Sequence, residues 1–214
     1  MAIAYPLSIP TTIGIEQIEL RANNVVAVSE SPFTFVQQTV VHGGQRWEAS
    51  ISIPPVRKDL AEEWVAFLLS LKGRRGTFYL GDPNMATPRG TVLAATSVTL
   101  GSATTVGGET VDLTKGTGPA KANFLRAGDY IQIGTGDGVN TPRTLHKVLT
   151  DTNLDSNGDA TVDIWPHTRA VVASGTSVVH QSPTGVFRLA SNVSSWSINN
   201  ASAYGISFDA VEVV

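Results

Sequence analysis

The 214-residue sequence contains no cysteine. Disulfide staples and thiolate metal sites are therefore excluded, and redox chemistry gives no argument for secretion. Charge is scarce as well. Asp, Glu, Lys and Arg make up 15% of the chain, and the net charge is -3 with a pI near 5.8. Such a chain has no general attraction for a polyanion, which argues against sequence-specific nucleic-acid binding. No apolar run approaches the length of a membrane-spanning helix. The opening MAIAYPLSIP has neither the basic region nor the apolar stretch of a signal peptide. These absences predict a protein made soluble in a cytoplasm, without membrane insertion. The hydrolase signatures Gly-x-Ser-x-Gly, Ser-x-x-Lys and His-Glu-x-x-His are missing too.

What is plentiful is Gly, Ser, Thr and Val, a bias toward strands and turns. In WEASISI, Trp47, Ala49, Ile51 and Ile53 alternate with Glu48, Ser50 and Ser52, the period-two pattern of a sheet with one buried face. Further strands are predicted at 15 to 21, 24 to 29 and 33 to 41. HGGQ reads as a hairpin turn into Trp47, and Pro54-Pro55 as the end of that strand. Trp196 and Ile198, followed by Tyr204, Ile206, Phe208 and Ala210 at alternate positions, suggest a closing hairpin.

One helix is expected, over 57 to 72, with Leu60, Trp64, Phe67, Leu68 and Leu71 on its buried face. Lys72 suits its negative C-terminal end and Gly73 a left-handed stop. The stretch KGRRGTFYLGDP (72 to 83) thus follows a helix and precedes a strand. A phosphate cradle needs glycines immediately before a helix, whose unpaired N–H groups hold the anion, so this stretch reads as a helix-to-strand corner. Arg74 and Arg75 are then either solvated or in contact with another chain.

From Gly90 to about Gly185 the chain is rich in Thr, Gly and Asp, with short strand-like runs and no helical period. Residues 91 to 185 carry eight acids (Glu109, Asp112, Asp129, Asp137, Asp151, Asp155, Asp159, Asp163) against six bases (Lys115, Lys121, Arg126, Arg143, Lys147, Arg169) and offer no polyanion-binding face. The expected fold is mainly β: a β-sandwich or split-barrel-like core from 1-90 and 186-214 with one flanking α-helix, and an inserted small all-β barrel over 91-185.

The chemical candidates are few. NLDSNGDA (153 to 160) opens like an EF-hand loop, but its twelfth position, where the bidentate carboxylate belongs, is Ile164, so an Asn-Gly hairpin turn is expected there. His42, His146, His167 and His180 lack metal-ligand spacing and read as surface or rim residues. No metal or cofactor is expected. A glycosidase needs only two acids flanking a sugar, yet Asp82, Asp129 and Asp163 all stand where turn or strand roles suffice. No catalytic residue is assigned.

The run VVHGGQRWEASISIPPVRKDLAEEWVAFLLSLKGRRGTFYLGDP, followed by PRG and later by LRAGDYIQIG, LHKVLTD, VDIWPHTR and GVFRLAS, resembles tail-tip proteins of long-tailed bacteriophages and prophages, closest in role to the distal tail protein. That resemblance implies a non-enzymatic virion protein at the tail tip, made in the host cytoplasm. It further implies a homohexameric ring joining the tail tube protein to the hub or other tail-tip proteins, with the inserted domain facing outwards. Arg74 and Arg75 are then candidates for a subunit contact. Two alternatives remain open at this point. A minor tail protein could bind host-surface carbohydrate through Tyr130, Asp163, Trp165 and His167, and an enzyme could act on the cell envelope.

Overall fold

The computed structural model describes residues 3–200 and 202–214. The chain is mainly β. Strand β1 (Gln17–Glu30) pairs antiparallel with β2 (Gln37–Arg57), and helix α1 (Lys58–Ser70) follows directly. After a 3-10 turn at Gly73–Arg75 comes β3 (Phe78–Leu80). The middle of the chain forms β4 (Thr99–Leu100), β5 (Thr110–Thr114), β6 (Lys121–Leu125), β7 (Tyr130–Ile133), β8 (Thr144–Val148), β9 (Thr152–Leu154), β10 (Asp159–Trp165) and β11 (Val178–Val179). The chain then returns through β12 (Gly185–Leu189), β13 (Trp196–Ile198) and β14 (Ala203–Glu212).

The first sheet has the order β1-β2-β14-β12-β3, with β13 also on β14. Its strands come from both ends of the sequence. Alternation on β2 and β14 turns Trp47, Ala49, Ile51 and Ile53, and Tyr204, Ile206 and Ala210, toward α1 and the core. From α1, Ala61, Trp64, Val65, Phe67 and Leu68 complete the core. Trp64 packs edge-on to Phe67 at 5.8 Å, and Phe67 to Phe78 at 5.5 Å. Leu60, expected in that face, is instead 42% exposed. The buried stripe centres on 61, 64, 68 and 71, which leaves Leu60 at its margin in the first turn.

The second sheet, β11-β7-β8-β10-β5-β4, closes on itself: Thr99 bridges Ser177, and Val178 N–H donates to the Val98 carbonyl at 2.9 Å. Val98, Leu100, Val111, Leu113, Ile131, Ile133, Val148, Val162 and Ile164 fill this small barrel, and β6 and β9 form a separate two-stranded ribbon. The buried apolar residues therefore form two clusters. Tyr130 and Leu145 of the barrel nevertheless belong to the cluster of the first sheet, so the two bodies share packed side chains.

Three sequence expectations change. The runs 15 to 21 and 24 to 29 are one strand, β1. The hairpin turn lies at 31–36, where Ser31 N–H donates to the Val36 carbonyl at 3.0 Å, and not at HGGQ. Residues 42–44 instead form a bulge in β2 opposite Val25, between the pairs Asn24 with Gln45 and Val26 with Val41. A bulge absorbs extra residues without ending a strand, so Gly-Gly there marks an irregularity and not a reversal. Likewise β2 runs on through Pro54-Pro55 to Arg57. The prolines sit opposite Gly205, at a register shift between Tyr204 and Ile206, where missing N–H donors interrupt no ladder bond.

Candidate functional site

The β1–β2 ribbon leaves the body just beyond the Ala22–Trp47 pair. From Arg21 to Gly44 every residue except Ser31 is exposed, on both faces of the ribbon. From Ala22 to Glu30 this arm reaches about 27 Å, at about 3.3 Å per residue. A free two-stranded ribbon in water normally carries polar faces and charged edges. This one carries Val25, Val26, Val28, Phe33, Phe35, Val36, Val40 and Val41. Phe33 is 92% exposed, and Phe35 and Val41 each 73%. So many exposed apolar residues side by side on a projecting element make it the candidate interaction surface.

At the root of the arm, residues Gln45 to Trp47 join it to the barrel. Trp47 Nε1 donates to the Leu145 carbonyl at 3.0 Å, and its ring meets Trp165 edge-on at 4.5 Å and Tyr130 at 5.8 Å. Gln45 accepts from the His167 backbone N–H at 2.8 Å through its side chain, and from Arg169 Nη2 at 2.9 Å through its carbonyl. Trp165 Nε1 donates to the Asn24 side-chain oxygen at 2.7 Å. The root is thereby held at both strands, and the arm projects from a rigid base. Beside it runs a groove of about 590 Å³ lined by Asn23, Gln45, Arg46, His167, Arg169 and apolar neighbours. Its two arginines are committed, Arg46 to Glu48 and Arg169 to Glu212, each at 2.7 Å. The Asn23 amide and Arg46 together hold the Glu48 carboxyl below its usual range.

The four residues considered for a carbohydrate platform do not form one open surface. Tyr130 is 3% exposed, lies against Trp47 and has Lys147 Nζ 4.4 Å above its ring, with its hydroxyl accepting from that Nζ at 3.1 Å. Trp165 sits in the same row, since Lys147 pairs with both residues across β8, and its edge is used by Trp47. Asp163 accepts from the Thr150 hydroxyl at 2.7 Å, and His167 lines the groove at the root. The physical reason is the shared core: the aromatic rings on this barrel face are what the first sheet packs against.

The acids weighed as chemical candidates have structural partners. Asp82 accepts from Asn84 N–H at 2.9 Å in the Gly-Asp-Pro turn. Asp129, fully buried, gathers the backbone N–H groups of Arg89, Gly90 and Arg126 and so ties the entry to the barrel to the turn before β7. Asp155 caps the turn between β9 and β10 through the N–H groups of Asn157 and Asp159, which, the Asp159 bond first, lower its pKa. Among the described residues, no three His, Asp or Glu side chains are placed to hold a metal ion. No helix among them is long and apolar enough to cross a membrane.

Two histidines depart from the rim positions expected for them. His146 is buried between the Pro166 carbonyl and the Thr144 hydroxyl, each 2.7 Å from a ring nitrogen, and His180 is buried against the Thr96 carbonyl at 2.9 Å. His146 lies on β8 and His180 immediately after β11, and reading single residues did not resolve that either points inward.

The KGRRG stretch is a corner. Lys72 and Gly73 are both left-handed, with φ of 51° and 67°. At Gly76 a Cβ would lie 2.7 Å from the Leu71 carbonyl oxygen and 2.7 Å from the Tyr5 ring, so only glycine lets the chain fold this tightly. Arg74 and Arg75 are exposed, and no ion pair among the described residues includes them. Sequence reasoning missed the arm because its strands were divided at Ala22-Asn23 and at HGGQ. The available signal was the unbroken stretch 22–45 with a single charged residue, Glu30.

No protein-family model matches the chain, and no curated protein matches it in sequence.

Proposed function

We propose that the protein is a structural component of a bacteriophage tail tip, a distal tail adaptor that assembles with copies of itself as a ring between the tail tube and the hub or host-recognition apparatus. The observation that carries this reading is the β1–β2 arm, apolar on both faces and anchored at a rigid root. An element of this kind supports a role in assembly, because its exposed apolar area is stable in water only when another chain covers it. The resemblance of the segment from Val40 to Pro83 to tail-tip proteins supports the place of that assembly, at the tip of a virion made in the host cytoplasm. The role is architectural, with no catalytic step. A homohexamer is the proposed ring, with the barrel on its outside.

Negative-stain microscopy of the purified protein is expected to show closed rings. Replacing residues 25–41 with a short turn is expected to leave folded monomers. Monomers of the unaltered protein at high concentration would sink the reading.

A further inference from the structure

Copies that assemble through their arms need a second surface that receives one, because a ring repeats a contact between two different patches. The inference below rests on the ring reading. Its starting point is charge. Between Arg21 and Arg46 the arm holds one ionisable acid, Glu30, and no Lys or Arg. Glu30 stands at the last pair before the turn, where Gln37 Nε2 donates to it at 2.6 Å. The outer edge of β1 is unpaired and lacks the lysines and prolines that keep edge strands apart.

A surface of opposite character lies around β13. Trp196 and Ile198 are exposed on that strand, and Val193, in the loop before it, is 78% exposed. The Asn192 side-chain oxygen accepts from Arg74 N–H at 3.1 Å and fastens this loop to the helix corner. The loop that leads into this strip therefore lies against the backbone of the corner that carries Arg74 and Arg75, both exposed and in no ion pair among the described residues. The arm has apolar side chains and one carboxylate near its tip; the strip has apolar side chains, and its leading loop is fastened to the corner that bears two exposed arginines.

We infer that the arm of one copy lies on the β13 strip of the next, covering Val193, Trp196 and Ile198, with Glu30 meeting Arg74 and Arg75. The occupant is a second copy because both complementary halves are present on this one chain. Arginine suits the contact, since its planar fork pairs with a carboxylate through two bonds and tolerates partial desolvation. The patches differ, so the contact is heterologous and propagates around a ring.

The test is a charge swap read by light scattering over a concentration series, with circular dichroism on the same samples. Glu30→Arg alone and Arg74→Glu/Arg75→Glu alone are each expected to raise the concentration of half-assembly by at least about tenfold, because like charges then meet. The three substitutions together are expected to bring it back toward the original value. Should the double corner variant fail to fold, Val193→Asp serves in its place, with the same expected loss of assembly. If the unaltered protein assembles and any of these single-surface variants assembles equally well, the contact is overturned while the ring stands. Failure of the combined variant to recover assembly also overturns it. An unaltered protein that stays monomeric removes the ring reading itself and assigns the arm to a different partner.

Discussion

Arg169 Nη2 lies 2.7 Å from the Glu212 carboxylate, and that carboxylate also accepts the Trp47 backbone N–H at 3.0 Å. Glu212 is almost wholly buried, and Arg169 keeps only 14% of its side chain in contact with solvent. The pair joins the barrel to the last strand of the first sheet at the root of the arm. Removing one member leaves a buried charge unpaired, which costs about 3 to 5 kcal/mol, whereas replacing both by apolar residues is much less harmful. Arg169→Met is therefore expected to lower stability by that amount, and Arg169→Met/Glu212→Leu to recover most of it. Denaturant unfolding with coincident fluorescence and circular dichroism measures both. A recovery absent from the double variant would mean that the Gln45 and Trp47 hydrogen bonds, and not the ion pair, hold the joint.

Trp64 is 1% exposed, yet its indole N–H has no hydrogen-bond partner among the described residues. The ring contributes packing against Phe67 and Phe208, while the donor stays desolvated and unpaired. Trp64→Ala is expected to cost on the order of 3 to 5 kcal/mol through lost burial and the cavity left behind. Trp64→Phe is expected to cost far less than a usual Trp truncation, because it also removes the unsatisfied donor. Thermal unfolding of the two variants side by side separates these effects. Equal losses would show that the N–H has found a partner.

His146 is neutral in the fold. Burial is the main cause, with Arg169 and His167 nearby adding to it against the opposing Pro166 carbonyl bond, and the pKa falls from 6.5 to about 4. A base whose folded pKa is depressed takes up its proton first in the unfolded chain. Its contribution is therefore fully present above pH 6.5 and is lost as the pH falls from 6.5 toward 4, by about 3 kcal/mol over the whole interval. Between pH 7 and 5, where few carboxylates titrate, stability is expected to fall with acidification, and His146→Gln is expected to flatten that fall. Equal slopes for the two proteins would show that His146 is free to charge in the folded state.

Much of this architecture was legible in the linear sequence, for a local reason. Alternation at Trp47 to Ile53 and at Tyr204 to Ala210 and the helical stripe through Trp64, Leu68 and Leu71 reflect which side of a single element meets water. Side-chain period alone records that. The strands of the barrel, from β4 to β11, all fall in the stretch rich in Thr, Gly and Asp that begins after Gly90. The corner at Gly73 to Gly76 was legible because its place after a helix rules out a helix N-terminus.

What tertiary structure decided were relations between distant segments. His146 and His180 read as surface or rim residues in sequence, but each is buried against the carbonyl of another segment, Pro166 and Thr96 respectively. Whether Gly43-Gly44 reverses the chain or bulges a continuous strand depends on the partner strand and its register, set by Asn24 and Val26 across the ribbon. The arm follows from that register. Its valines and phenylalanines have the same residue types as a core strand, and no local pattern distinguishes the two. Only the absence of a covering layer around them among the described residues leaves this apolar run exposed to water.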